Sequence, residues 1–186
     1  MRSNGRAGGR KQPGRGSQYR WAAEVFVLAI ALSAALSMAS ETTLSGAGMA
    51  AALVVLALFI GLGILFDIIG VAVTAADPKP FHSMASHKEK GAAEALMLLR
   101  NAGRVSSVCN DVVGDICGIV SGTTGAVIVV RLQSAFGVTS VLVSVAVTAL
   151  ISGLTIGGKA LGKTVAIRSS TQVVYWVGRF LHLFHR

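Results

Sequence analysis

Cysteine is scarce, with two in 186 residues (Cys109 and Cys117), which excludes a disulfide-built or cysteine-rich metal scaffold. Eight positions separate them, roughly 12 Å along one helix at 1.5 Å per residue, too far to bridge or chelate within that helix; they read as buried free thiols. Charge is also thin, at 13% of residues, and proline occurs three times, so long apolar runs go uninterrupted. Aromatics make up 6%, and none interleave with basic residues into a nucleic-acid-binding surface, so the net charge of +9 is not read as a sign of nucleic acid. His82, His87, His182 and His185 lack metal-ligand spacing and propose no zinc site. No nucleophile-base constellation or cofactor motif is visible, which argues against an enzyme and against an organic cofactor.

What is present is apolar sequence. Hydrophobic residues account for 53% of the chain, mean hydropathy is +0.67 and there are 22 glycines, a composition suited to helices in a bilayer. Four runs reach or approach the roughly 20 residues a span requires: about 21–38, 49–76, 105–130 and 138–154. A cleaved secretory signal is the competing reading of the first run, but its basic lead is long and its removal would reorient the next span. The fold class expected is an all-α integral membrane protein with four transmembrane helices plus juxtamembrane amphipathic helices.

Basic residues set the orientation. Arg2, Arg6, Arg10, Lys11, Arg15 and Arg20 fill residues 1–20, without an acid, as a disordered cytoplasmic tail. The loop at 39–46 has no Lys or Arg, whereas Lys79, Lys88, Lys90, Arg100 and Arg104 follow the second run and Lys159, Lys163, Arg168, Arg179 and Arg186 follow the fourth. Both termini are therefore expected inside a cytoplasmic membrane, with the basic flanks against anionic headgroups.

Against this background the acids stand out. A carboxylate in hydrocarbon costs several kcal/mol unless paired, hydrated or bound to a cation. Asp67, Asp111 and Asp115 fall inside the runs, Asp111 and Asp115 one helical turn apart on a face continued by Gly118 and Gly122, so these acids are expected to face protein. Counting from the flanks puts Asp67 and Asp111 both roughly 10 to 15 Å into the cytoplasmic half, where they can meet. With Asn110, and with Ser106 or Ser107 nearby, they make a hard-oxygen set suited to Mg²⁺. The alternative is a protonated or lysine-paired cluster that locks helices together.

After the second run, Asp77-Pro78-Lys79-Pro80 ends the helix, and residues 86–101 read as a short surface helix; residues 170–186 read as a C-terminal interfacial amphipathic helix. The order of parts resembles the membrane domain of the CorB/CorC magnesium transporters, also called CNNM or cyclin M proteins. Gly158-Lys159-Ala160-Leu161-Gly162-Lys163-Thr164-Val165-Ala166-Ile167-Arg168 resembles that family's G-E-x-x-P-K-T-x-A-x-R segment, and Gly91-Ala92-Ala93 through Leu98-Leu99 and Arg104 its juxtamembrane helix. Asn110 to Asp115 resembles its N-x-x-x-N span. Phe66-Asp67-Ile68-Ile69-Gly70-Val71-Ala72 stands at its small-Ser-x-x-Glu-x-Ala pattern, with Asp67 at the serine and Gly70 at the glutamate; a rival match at Ser37 to Thr42 is followed by a full span and is set aside. Lys159 replaces the family's glutamate, Gly162 its proline, and the CBS pair is lacking.

The resemblance implies a CorB/CorC-like domain at 47–169, preceded by an extra helix and outer loop at 21–46, and a homodimer. It implies transport of Mg²⁺, with Co²⁺ as second ion; the oxygen set read from the residues, Asp67, Asn110, Asp111 and Asp115, would hold the ion, and Lys159, a departure from the family, would be an internal counter-charge where Gly157-Gly158 loosens the fourth helix. A non-transporting scaffold or regulator is the alternative function. For topology the expected outcome is that tags at either terminus are protected in intact cells while a cysteine placed at 40–46 is labelled from outside; external labelling of the N-terminal tail would overturn the four-span order.

Overall fold

The structure, a computed structural model, describes residues 15–46, 48–137 and 140–184; the expected basic tail lies outside the described residues up to position 14, as do His185 and Arg186. The described residues are helical throughout apart from short connections, with no strand among them. Four helical stretches are long and apolar enough to cross a membrane: Tyr19–Ser45, Met49–Ala75, Ala102–Phe136 and Val141–Arg168. Large apolar side chains such as Phe26, Leu142 and Ile156 are at least two-thirds exposed on their outer faces, which suits hydrocarbon surroundings and fits a multi-pass membrane protein.

α1 (Arg15–Ser45) outruns its expected span because the hydroxyls near its end bond back into the helix, Thr43 Oγ1 to Ala39 O at 2.7 Å and Ser45 Oγ to Thr42 O at 3.0 Å. α2 (Met49–Ala75) follows after a short turn. α1 belongs less to α2 than to the third span. Ser40 Oγ lies 3.4 Å from Thr124 Oγ1, and Arg131 donates to Leu44 O at 2.5 Å and to Gly48 O at 3.1 Å. The guanidinium thus satisfies a carbonyl that the end of α1 leaves without a helical partner and ties it to the Gly48 carbonyl that starts α2.

Beyond α2 the chain builds a layer at one end of the bundle. The prolines of Asp77-Pro78-Lys79-Pro80 do more than stop α2: the Asp77 carboxylate accepts from Lys79 N at 3.0 Å and caps α3 (Pro78–Ser86), whose first turn tolerates proline. The surface helix expected at 86–101 is therefore corrected to α4 (Ala92–Arg100), because Lys88 (φ 57°) and Gly91 (φ 89°) turn the chain between the two. α8 (Ser170–Phe184) packs across α4 at two glycines. A Cβ on Gly178 would stand 2.5 Å from Gly91 O, and one on Gly91 would stand 2.6 Å from the Arg179 backbone. His182 Nδ1 and Glu94 Oε1, 2.7 Å apart, close the same crossing. Phe81, Val73, Ala95, Ala166 and Val174 bury a common core that fastens this layer to α2 and α7 (Val141–Arg168).

The third span is the axis. More than half of its most apolar stretch is buried, against 17% for α2 and none for the other two. It runs as α5 (Ala102–Ser107), a π-helical segment (Val108–Gly114) and α6 (Asp115–Phe136), ending where Gly137 takes φ 64°. α7 passes straight through Gly157-Gly158 to Arg168, so the loosening expected there does not occur: Gly158 is seated under Ile64 of α2, and packing holds the helix.

Gly91 tests the layer. An alanine there must hold a left-handed conformation and also push the Arg179 backbone away, so Gly91→Ala should cost about 1–3 kcal/mol and free α8, read as a lower melting temperature in detergent and new protease cleavage within 170–184. Unchanged melting and protection would contradict the crossing.

Candidate functional site

One stripe of α2, with residues at i, i+4, i+7 and i+11, carries Gly63, Asp67, Gly70 and Thr74. Small residues on either side of the acid let the third span approach closely. A Cβ on Gly63 would lie 3.3 Å from Cys117 Cβ and 3.7 Å from Gly114 O. At Gly70 the carboxamide of Asn110 occupies the space a Cβ would take, its Cγ within 2.7 Å of that point. Asp67, between these two contacts, is 5% exposed. On the neighbouring flank Ile68 of α2 packs over Gly162 of α7, which brings Lys159 into reach of the same junction: its Nζ lies 3.5 Å from where a Cβ on Gly114 would stand.

Adjacent residues of a helix diverge by about 100°, and this decides which third-span groups join Asp67. Asn110, in the π segment, lies against α2, while Asp111, the next residue, points away; both Asp111 and Asp115 are exposed. They line a groove of about 520 Å³ with Phe26, Ile30, Ser33 and Ser37 of α1. The four-residue set expected from the sequence is thus divided into Asp67 with Asn110 inside and Asp111 with Asp115 outside. Among the described residues no group of three His, Cys, Asp or Glu side chains is placed to hold a metal ion. Among the described residues Gly118 and Gly122 have nothing packed where a Cβ would stand; they line a cavity with Thr148, Ile151 and Thr155 of α7, so no helix closes tightly on them. Cys109 and Cys117 are free and buried, as expected.

Hydrogen bonding at the junction is incomplete. Asn110 Nδ2 reaches Ser106 Oγ at 3.3 Å, but Asn110 Oδ1 and Asp67 Oδ2 are both buried without a partner. Two acceptors on facing helices, with no donor between them, are uncommon in a packed interior, where an unmade hydrogen bond costs about 1–3 kcal/mol. Lys159 does not resolve this, since among the described residues no ion pair joins it to Asp67. It stands half-buried beside the site, at the level of Gly114. The seats at Gly63 and Gly70 were overlooked in the sequence, although the spacing Gly-x3-Asp-x2-Gly inside a span was a legible signal.

No family model, curated protein or solved structure matches the chain. The site therefore rests on its own geometry.

A carboxylate retained for binding should weaken the ion-free fold. Asp67→Asn, nearly isosteric and without the buried charge, should raise the melting temperature of ion-free protein by the equivalent of about 1–3 kcal/mol. A lower melting temperature would identify Asp67 as a structural lock.

Proposed function

We propose that this chain is a membrane transporter of a cation, Mg²⁺ first and Co²⁺ second, with Asp67 and Asn110 as the ion-binding pair. The observation that supports it is the pair of buried, unpartnered oxygens, Asp67 Oδ2 and Asn110 Oδ1. A helix-locking cluster satisfies its own polar atoms; these two are both acceptors, and a cation is the species that satisfies two acceptors at once. Carboxylate and amide oxygens are hard ligands, and Mg²⁺ commonly takes one or two carboxylates while keeping several of its waters. The resemblance to CorB/CorC proteins, carried by the motifs quoted above, supplies the choice of ion.

Lys159 sets the charge balance. With one carboxylate and one ammonium at the junction, the empty site is close to neutral, which lowers the cost of holding Asp67 inside a span and also weakens attraction for a divalent ion. A weak, displaceable site suits passage better than storage. In this reading the protein lies in the cytoplasmic membrane with both termini inside and its basic layer against anionic headgroups, and it assembles as a homodimer. The scaffold reading draws on the same lysine and on the outward placement of Asp111 and Asp115, which leave a single carboxylate at the junction.

The two readings part in reconstituted vesicles. Wild-type protein should pass Mg²⁺ and show a saturable Mg²⁺-dependent rise in melting temperature. Asp67→Asn should weaken this at least tenfold, about 1.4 kcal/mol, Lys159→Met should tighten it, and Asp111→Asn should leave it within about twofold because that carboxylate faces the groove. Absence of any saturable cation effect on wild type would remove the transporter reading.

A further inference from the structure

The two directions out of the Asp67 site are closed by very different means. Toward the α1–α2 turn, the Gly63–Cys117 contact is followed by buried apolar side chains, Phe59 of α2 and Val120 of α6, in a cluster that also takes in Val112 and Ile116 nearer the level of Asp67. Phe59 is 6% exposed and the rest less. The next polar side chain along α6, Ser121, is itself buried and spends its hydroxyl on Cys117 O at 2.7 Å. Opening this side means separating a packed apolar layer.

Toward the end that carries α3, α4 and α8, the apolar core around Val73 and Phe81 packs on other faces of α2, and the stripe that holds Asp67 is itself polar. Thr74 continues the Asp67 stripe on α2 and is exposed, and on the facing span Ser106 and Asn110 stand one turn apart. Here the carboxamide of Asn110, seated on Gly70, covers the stripe next to Asp67. Its hold is slight: a single 3.3 Å bond from Nδ2 to Ser106 Oγ, with Oδ1 unbonded. It also springs from a π turn, a geometry poorer than the α-helix and often found where function needs a helix to yield. Swinging one amide costs far less than parting the apolar layer.

From this asymmetry we propose that Asn110 is the gate of the Asp67 site and that, from the conformation seen here, the site opens only toward the α3/α4/α8 end. The inference rests on the reading of Asp67 as the ion site. The same oxygen serves twice: unbonded in the closed, ion-free arrangement, Oδ1 becomes a ligand when a cation arrives, so loading draws the gate shut over its cargo. Gly70 is the seat that makes closure possible, since any side chain there would displace the amide.

Access of a small, charged, membrane-impermeant thiol reagent measures this. The full chain carries Asp67→Cys with Cys109→Ala and Cys117→Ala, in vesicles of known orientation, and reagent is applied to each side separately. With Asn110 in place, modification of the introduced thiol should be slow from both sides. Adding Asn110→Ala should accelerate it at least tenfold from the α3/α4/α8 side and leave the opposite side unchanged. Gly70→Ala, which keeps Asn110 but fills its seat, should give the same one-sided acceleration, and Asn110→Ser serves if the alanine variant fails to fold. Acceleration from the opposite side, or none with any folded variant, would overturn the gate. Labelling requires no cation, so a wild-type protein that fails to respond to Mg²⁺ would sink the transport reading and leave this result standing.

Discussion

Everything at the centre of this protein depends on how closely two helices can approach around a carboxylate. α2 and the third span meet at Gly63 and Gly70, one turn to either side of Asp67, and at those points backbone or a small side chain lies where a Cβ would otherwise stand. Close approach excludes water from the acid, and at membrane depth there is no bulk solvent to compensate. An ordinary apolar stripe would have packed just as well. Retaining an acid there, unpaired, sets stability against some other demand, and cation binding is the demand that its chemistry fits.

The third span sets the charge at that point. Asn110 and Asp111, neighbours on one helix, diverge by about 100°, so the amide that faces α2 leaves the acid to the groove beside α1. In the proposed transporter, a site with one charge and one neutral oxygen, attended by Lys159, would bind more weakly than the three-carboxylate cluster that spacing alone would assemble. Its selectivity would then come from geometry and residual hydration more than from charge.

The number and rough placement of the spans were legible because hydropathy and length report burial in lipid directly, although the helices run past the apolar runs, the fourth to Arg168. The all-α class and the reading of four spans follow from composition, and the buried free cysteines from spacing. Local breaks were harder. Asp77-Pro78 announced an end but not that the same residues begin α3, since capping and stopping use the same letters. Gly157-Gly158 looked like a loosening and is continuous helix, because Ile64 packs on Gly158 and fixes it. The site was half legible: Asp67 and Asn110 were named, but counting residues from flanking charges gives depth and not the face that meets α2, and so could not separate Asn110 from Asp111.

The staple at the opposite end of the bundle has a consequence for biogenesis. Arg131 holds Leu44 O at the end of α1 and Gly48 O at the start of α2, and Ser40 meets Thr124, so the partners α1 needs are written more than eighty residues downstream, in the third span. As the chain leaves the ribosome, α1 and α2 enter the bilayer as neighbours in sequence before the helix that joins them exists. Until residues 124 and 131 have been inserted, α1 is held by lipid and by little else, and the order of synthesis makes its docking a late event in assembly.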